Sequence, residues 1–289
     1  MTSLSVSLVS PSSSFDNQLL KDSLRLASTL GIKIVSATET RLGQPAFING
    51  TKGERLAELL DADQQETDAI WCVRGGCGAI ELIHDYVNIP VQGPILIGYS
   101  DSTVLHFLRF YRSQRLGIHG PIFFELSNTE RACFDQIRLL VKDRAEQLVY
   151  PPLKALNNII FDQISGPLLP MNLTSLQSLI GCFDPGFLRG KIVAIEDINE
   201  PAYKVWRTVQ HLKNAQVLFG LKALVIGHFN LDRAELVEHT FKPLAHDLGI
   251  PLFDWPIFGH DQPNWPLLFG ARGMISRVDG HIFTWTYLE

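Results

Sequence analysis

No stretch of this 289-residue chain comes near the roughly 18 consecutive apolar residues of a membrane-spanning helix, so the sequence predicts no membrane partner. The first fifteen residues lack the basic flank and long apolar core of a secretion signal, and their short apolar alternation suits a strand. Cysteine is scarce: Cys72, Cys77, Cys133 and Cys182 form no Cys-x-x-Cys pair, which predicts structural thiols in a reducing compartment. There is no excess of positive charge either. With 25 basic and 30 acidic residues the formal net charge is −5, which gives no general pull toward nucleic acid. His-Glu-x-x-His and a Gly-Lys-Ser/Thr phosphate loop are both missing, so neither a helical zinc-protease site nor a P-loop is expected. What remains is an ordinary globular composition, 46% hydrophobic and 19% charged, in a chain expected in the cytoplasm.

The first half alternates short apolar runs with amphipathic segments. Residues 4–9, 32–36, 69–73 and 95–97 read as strands. Stretches 17–30, 80–87, 102–113 and 129–141 read as helices. This alternation predicts a parallel sheet flanked by helices. The texture changes near Asp143, where charges, Pro151-Pro152 and Asn157-Asn158 suit a connection or an irregular strand as far as Gly166. The expected organisation is a domain over 1–145, a linker over 146–165 and a second domain over 166–289. In the second part 191–195, 223–226 and 251–254 are strand candidates and 202–214 a helix, and an Asp279-Gly280 turn closes a terminal hairpin.

Three places carry potential chemistry. In Ile97-Gly98-Tyr99-Ser100-Asp101-Ser102 an apolar strand turns directly into a helix, projecting the Ser100 hydroxyl above the sheet edge with the next amide facing developing negative charge. Serine stands where the usual elbow has its second glycine, and Ser100 or Asp101 can equally serve as a helix cap. After another strand comes Arg74-Gly75-Gly76-Cys77-Gly78, whose backbone amides can approach a ligand closely or simply satisfy a tight turn. A serine nucleophile needs a base. His84, His106, His211, His239 and His246 fall in predicted helices as surface or helix-face residues, His281 follows a turn, and spacing leaves His119 and His260 open. For the orienting carboxylate, the strand 191–195 ends abruptly in Glu196-Asp197, which can also be loop-end or capping acids.

In combination these segments resemble the LD-carboxypeptidase family of serine peptidases, which includes murein tetrapeptide carboxypeptidases and microcin-immunity peptidases. The likeness runs through Val9-Ser10-Pro11-Ser12, Arg74-Gly75-Gly76-x-Gly78, Gly98-Tyr99-Ser100-Asp101, His119-Gly120-Pro121, Asn172-Leu173, Glu196-Asp197-Ile198-Asn199-Glu200-Pro201-x-Tyr203 and Gly259-His260. It implies an α/β fold: a flavodoxin-like N-terminal domain with a parallel sheet, joined to a smaller β-rich C-terminal domain. It implies Ser100 as nucleophile, Glu196 as orienting acid and His260, rather than His119, as base. The amides of Gly76 and Asp101 become the oxyanion hole, and Arg74 and Asn172 become substrate contacts. Cys77 stands where the family usually has tyrosine. No metal or cofactor is implied. The expected partner is a murein or related small peptide, and the expected state a homodimer. Hydrolysis of a peptidyl-nucleotide or other acylated small molecule is the alternative activity, and a non-catalytic ligand-binding role the alternative class.

Overall fold

The computed structural model describes residues 3–43, 45–86, 92–143, 145–158 and 161–288. The chain divides into two compact units, Met1–Asp143 with Trp265–Leu267, and Arg144–Asn264 with Leu268–Glu289.

In the first unit the strands are β1 (Leu4–Val9), β2 (Ile32–Ser36), β3 (Ala69–Cys72), β4 (Ile95–Gly98) and β5 (Gly117–His119). They lie in the order β2-β1-β3-β4-β5, every pair parallel. That is the doubly wound order in which ligands meet the carboxyl ends of the strands. The sequence accounts for much of it: β3 and β4 are nearly continuous apolar runs, as expected of strands covered on both faces. β1, although its apolar residues alternate with Ser5 and Ser7, is buried at five of its six positions. Helices Asn17–Thr29, Lys52–Asp63, Thr103–Ser113 and Arg131–Val141 follow the strands. The first, third and fourth run a residue or two inside their predicted bounds. The predicted helix 80–87 is a 3₁₀ turn, Ala79–Leu82, continued by the α-turn Ile83–Tyr86, and Val87 lies outside the described residues.

The second unit is a closed barrel. Its strands are β6 (Leu153–Ala155), β7 (Gln163–Asn172), β8 (Ile192–Asp197), β9 (Ala223–Phe229) and β10 (Leu252–Asp254). After β11 (Leu267–Phe269), which is on the edge of the parallel sheet, come β12 (Arg272–Asp279) and β13 (Ile282–Tyr287). The barrel order is β10-β6-β13-β12-β7-β8-β9, with β7, β8, β9 and β10 successively parallel and the other neighbours antiparallel. The stretch 146–165, read from sequence as a linker, supplies β6 and the start of β7, so the two units are close in length. A cluster of Trp255, Phe253, Phe283 and Trp285, all nearly inaccessible, fills the barrel. Burying each such side chain contributes roughly 1.5–3 kcal/mol.

Candidate active site

Ser100 sits where β4 passes through a 3₁₀ turn, Ser100–Ser102, into the helix Thr103–Ser113. Its φ is +61°, a left-handed conformation that a non-glycine residue adopts at a cost of about 1–3 kcal/mol. The surroundings impose it. The Ser102 hydroxyl donates to the Tyr99 carbonyl at 2.8 Å and the Thr103 hydroxyl to the Ser100 carbonyl at 2.6 Å. The preceding Gly98 carbonyl receives the Gly120 amide and faces His106 Nε2 at 2.8 Å. His106, expected on a helix face, is instead completely buried beneath this turn. Burial pulls its imidazole down to about 4, so it is neutral at pH 7.

The glycine turn lies against the serine. A Cβ on Gly75 would stand 2.9 Å from Ser100 Cβ and 3.1 Å from its Oγ, and only glycine fits there. One on Gly76, whose φ is +107°, would strike the Ser13 hydroxyl at 2.2 Å. The Cys77 amide donates to Ser13 Oγ at 3.1 Å. Asp101 ties the two turns together: its buried carboxylate accepts the Ala79 amide at 2.9 Å. Burial raises the Asp101 carboxyl above its usual range, against the opposing pull of the Ala79 amide and the Arg55 charge. Asp101 is therefore no helix cap. Arg74 reaches back to donate to the Ser14 carbonyl at 2.7 Å, and the thiol of Cys77 is exposed.

In the barrel, Glu196 is the fifth residue of β8, a strand buried along its whole length, and its side chain is wholly inaccessible. Its Oε2 meets His260 Nδ1 at 2.7 Å, the geometry of a charge-assisted hydrogen bond. Burial raises the Glu196 carboxyl, and the His260 partner opposes that rise. Asp197 has a different task. It accepts from the Thr174 amide and hydroxyl, the Ile198 amide and Asn172 Nδ2, all within 3.1 Å. Asn172, opposite Glu196 in the β7–β8 register, also caps the helix Leu173–Ser178 by accepting the Ser175 amide at 3.0 Å. Its amide group is thus engaged inside the barrel, also toward Glu196, and only 6% of the residue is exposed. Neither acid caps the helix Ala202–Asn214, which starts at Pro201 with no side-chain cap.

One residue that the sequence reading did not single out stands beside this pair. His228, near the end of β9, faces Asp261 with Nδ1–Oδ2 of 3.4 Å. The available signal was its position as the first polar side chain after an apolar strand, matching Glu196 on the neighbouring β8. His119 is buried, edge-on to the Tyr99 ring. Among the described residues, no group of three or more His, Cys, Asp or Glu side chains is arranged to hold a metal ion. The first unit thus carries a strained serine on a glycine-lined turn, and the second an imidazole held by a buried carboxylate.

Comparison with known proteins agrees with this architecture. The sequence profile of the LD-carboxypeptidase N-terminal domain matches residues 6–120, and that of the LD-carboxypeptidase C-terminal domain matches 165–275. A Rickettsia conorii relative, a carboxypeptidase by name alone, is 32% identical over 96% of this chain and 89% of its own. The murein tetrapeptide carboxypeptidase of Pseudomonas aeruginosa is 27% identical over 97% of this chain and 94% of its own. Among solved structures, muramoyltetrapeptide carboxypeptidase from Oxalobacter formigenes superposes with a TM-score of 0.80 at 20% identity, covering 99% of each chain. The microcin C7 self-immunity protein MccF gives 0.76 at 19% identity, covering 100% of this chain and 98% of its own. At such identities the structural likeness speaks for the fold alone.

Proposed function

The chain belongs to the LD-carboxypeptidase family, and from that premise we propose that it is a serine carboxypeptidase releasing the terminal D-alanine of murein tetrapeptide at an L,D bond. The observation that carries the reading is the His260–Glu196 hydrogen bond of 2.7 Å, made by a carboxylate with no solvent exposure. A buried acid held against one imidazole nitrogen fixes the tautomer and leaves the other nitrogen to act as base.

In the proposed mechanism Ser100 Oγ attacks the substrate carbonyl carbon while its proton passes to His260 Nε2. The tetrahedral oxyanion takes hydrogen bonds from the Asp101 and Gly76 amides. As the carbon–nitrogen bond breaks, His260 returns the proton to the leaving amine, and D-alanine departs. Water, deprotonated by the same imidazole, then attacks the ester; as the second tetrahedral intermediate collapses, His260 returns that proton to the departing Ser100 Oγ and the acid product leaves. Glu196 stabilises the imidazolium formed in each half. The strained φ of Ser100 and the clearance that Gly75 leaves beside its Oγ support the nucleophile assignment. Arg74 is the proposed contact for the substrate carboxylate, whereas the engagement of Asn172 argues for a supporting role at Glu196. The reading has the enzyme act in the cytoplasm, as a homodimer, during wall recycling.

The test is incubation with murein tetrapeptide, with free D-alanine as the readout. The parent should release it and Ser100→Ala should not. Release by Ser100→Ala at the parent rate would remove the nucleophile assignment. A parent inert on tetrapeptide but active on an aminoacyl sulfamoyl adenylate would transfer the chain to immunity-type hydrolysis.

A further inference from the structure

The imidazole of His260 is carried by an irregular segment, residues 255–264, between β10 and β11. Such a segment holds a side chain to within a few tenths of an ångström only if something fixes it. Most of its anchors lead to one place, the end of β9. The Trp255 amide donates to the Ile226 carbonyl at 2.9 Å and the His228 amide to the Phe258 carbonyl at 2.9 Å. The Phe258 ring packs against Gly227, where an added Cβ would stand 2.5 Å from its Cζ. Gly259, with φ +119°, is wedged between Glu196 and His228: an added Cβ would stand 2.9 Å from Glu196 Cβ and 3.1 Å from His228 Cβ. On the far side of His260, the ring of His228 meets the Asp261 carboxylate. The segment's own closure, Gly259 N–H to Asn264 Oδ1 at 3.1 Å, is almost fully buried.

We infer that His228 is a positioning residue for His260: its ring, paired with Asp261, pins the segment one residue beyond His260 and keeps that imidazole on Glu196. The inference rests on reading His260 as the general base. Without the His228 ring, the residues flanking His260 keep the Gly259 anchor on one side and lose the Asp261 anchor on the other. His260 can then swing away from Glu196. The charged groups acting on His228 are Asp261 and Arg233. Burial draws the His228 imidazole below the ordinary histidine range, opposed by the Asp261 carboxylate and the Pro256 carbonyl. Asp261 itself is half exposed, so the pair adds little to global stability and its effect is local.

The experiment compares the full-length parent with His228→Ala, His228→Asn and Asp261→Ala. Asparagine retains a donor near the place of imidazole Nδ1. Two quantities are read: the low-field Nδ1–H proton resonance of His260, and kcat and KM for D-alanine release. The expected result in His228→Ala and Asp261→Ala is a broadened or lost resonance and a kcat lower by about ten- to a hundredfold with KM little changed. His228→Asn should recover most of both, and the double alanine variant should be no worse than either single one. A sharp, unshifted His260 resonance in a folded His228→Ala protein overturns the inference, as does a His228→Asn variant no better than alanine. A parent that keeps the resonance but releases no D-alanine from any peptide would instead defeat the functional reading.

Discussion

At the residue scale the site depends on contacts that tolerate no extra atom and no lost charge. Glu196→Gln keeps the shape of the β8 side chain but offers an amide where the imidazole N–H needs a carboxylate. Its kcat for D-alanine release should fall on the order of 10⁴-fold, with the urea midpoint near the parent's. A loss under tenfold would show that the buried acid does not orient the base. Gly259→Ala drives a methyl group into the Glu196 side chain in a backbone conformation that favours glycine. It should lower kcat to near that of Glu196→Gln, measured in the same assay. The chemistry of these residues was readable in advance only in part. Ser100 and Glu196 announced themselves as polar residues at the ends of apolar strands. The choice of His260 over His119 did not come from spacing, because the contact joins positions 64 residues apart. Asp101 looked like a cap and is a brace between two turns, which no local pattern encodes.

At the scale of elements, legibility followed burial. Strands β1 and β2 and the helix Ala202–Asn214 agree residue for residue with the sequence reading, because their apolar periodicity is unbroken. The ten-residue strand β7 was not named: Gly166, Pro167 and Pro170 interrupt its apolar run, yet pairing with β8 and β12 holds it extended. The helix Lys52–Asp63 went unnamed although Thr51 and Glu54 form a reciprocal capping box before it. The helix Thr103–Ser113 hid its burial because His106 and Arg109 look like surface residues. In the fold Arg109 is matched by Asp63 at 2.6 Å and the Tyr86 hydroxyl at 2.8 Å. Two glycine replacements separate packing from propensity. Gly117→Ala places a methyl group 2.2 Å from His106 Nδ1 and should cost roughly 1–3 kcal/mol. Gly53→Ala, in open space on a helix, should add about 0.5–1 kcal/mol. Urea unfolding of both variants checks the contrast.

At the scale of the whole molecule, His106 links the Ser100 turn to stability. Its folded-state imidazole is lowered from 6.5 to about 4, so the unfolded chain binds that proton first. The contribution is intact above about pH 6.5 and is lost progressively as pH falls toward 4, reaching about 3 kcal/mol. Asp101 and Glu196 act in the opposite sense, since burial raises both carboxyls and the folded chain protonates them first. The His106 share is therefore read as a difference: between pH 7 and 4.5, unfolding free energy should fall more steeply in the parent than in His106→Gln. Equal slopes would mean that His106 is not the buried neutral group described above. The larger question is whether the serine of one unit and the imidazole of the other serve a single reaction. A fluorophosphonate reports this directly, because it bonds only to an activated serine. One phosphonyl group per chain should appear on Ser100 in the parent by peptide mass spectrometry, and labelling should slow at least a hundredfold in His260→Ala. Rapid labelling of Ser100 that is indifferent to His260, or attachment to a different residue, would contradict it.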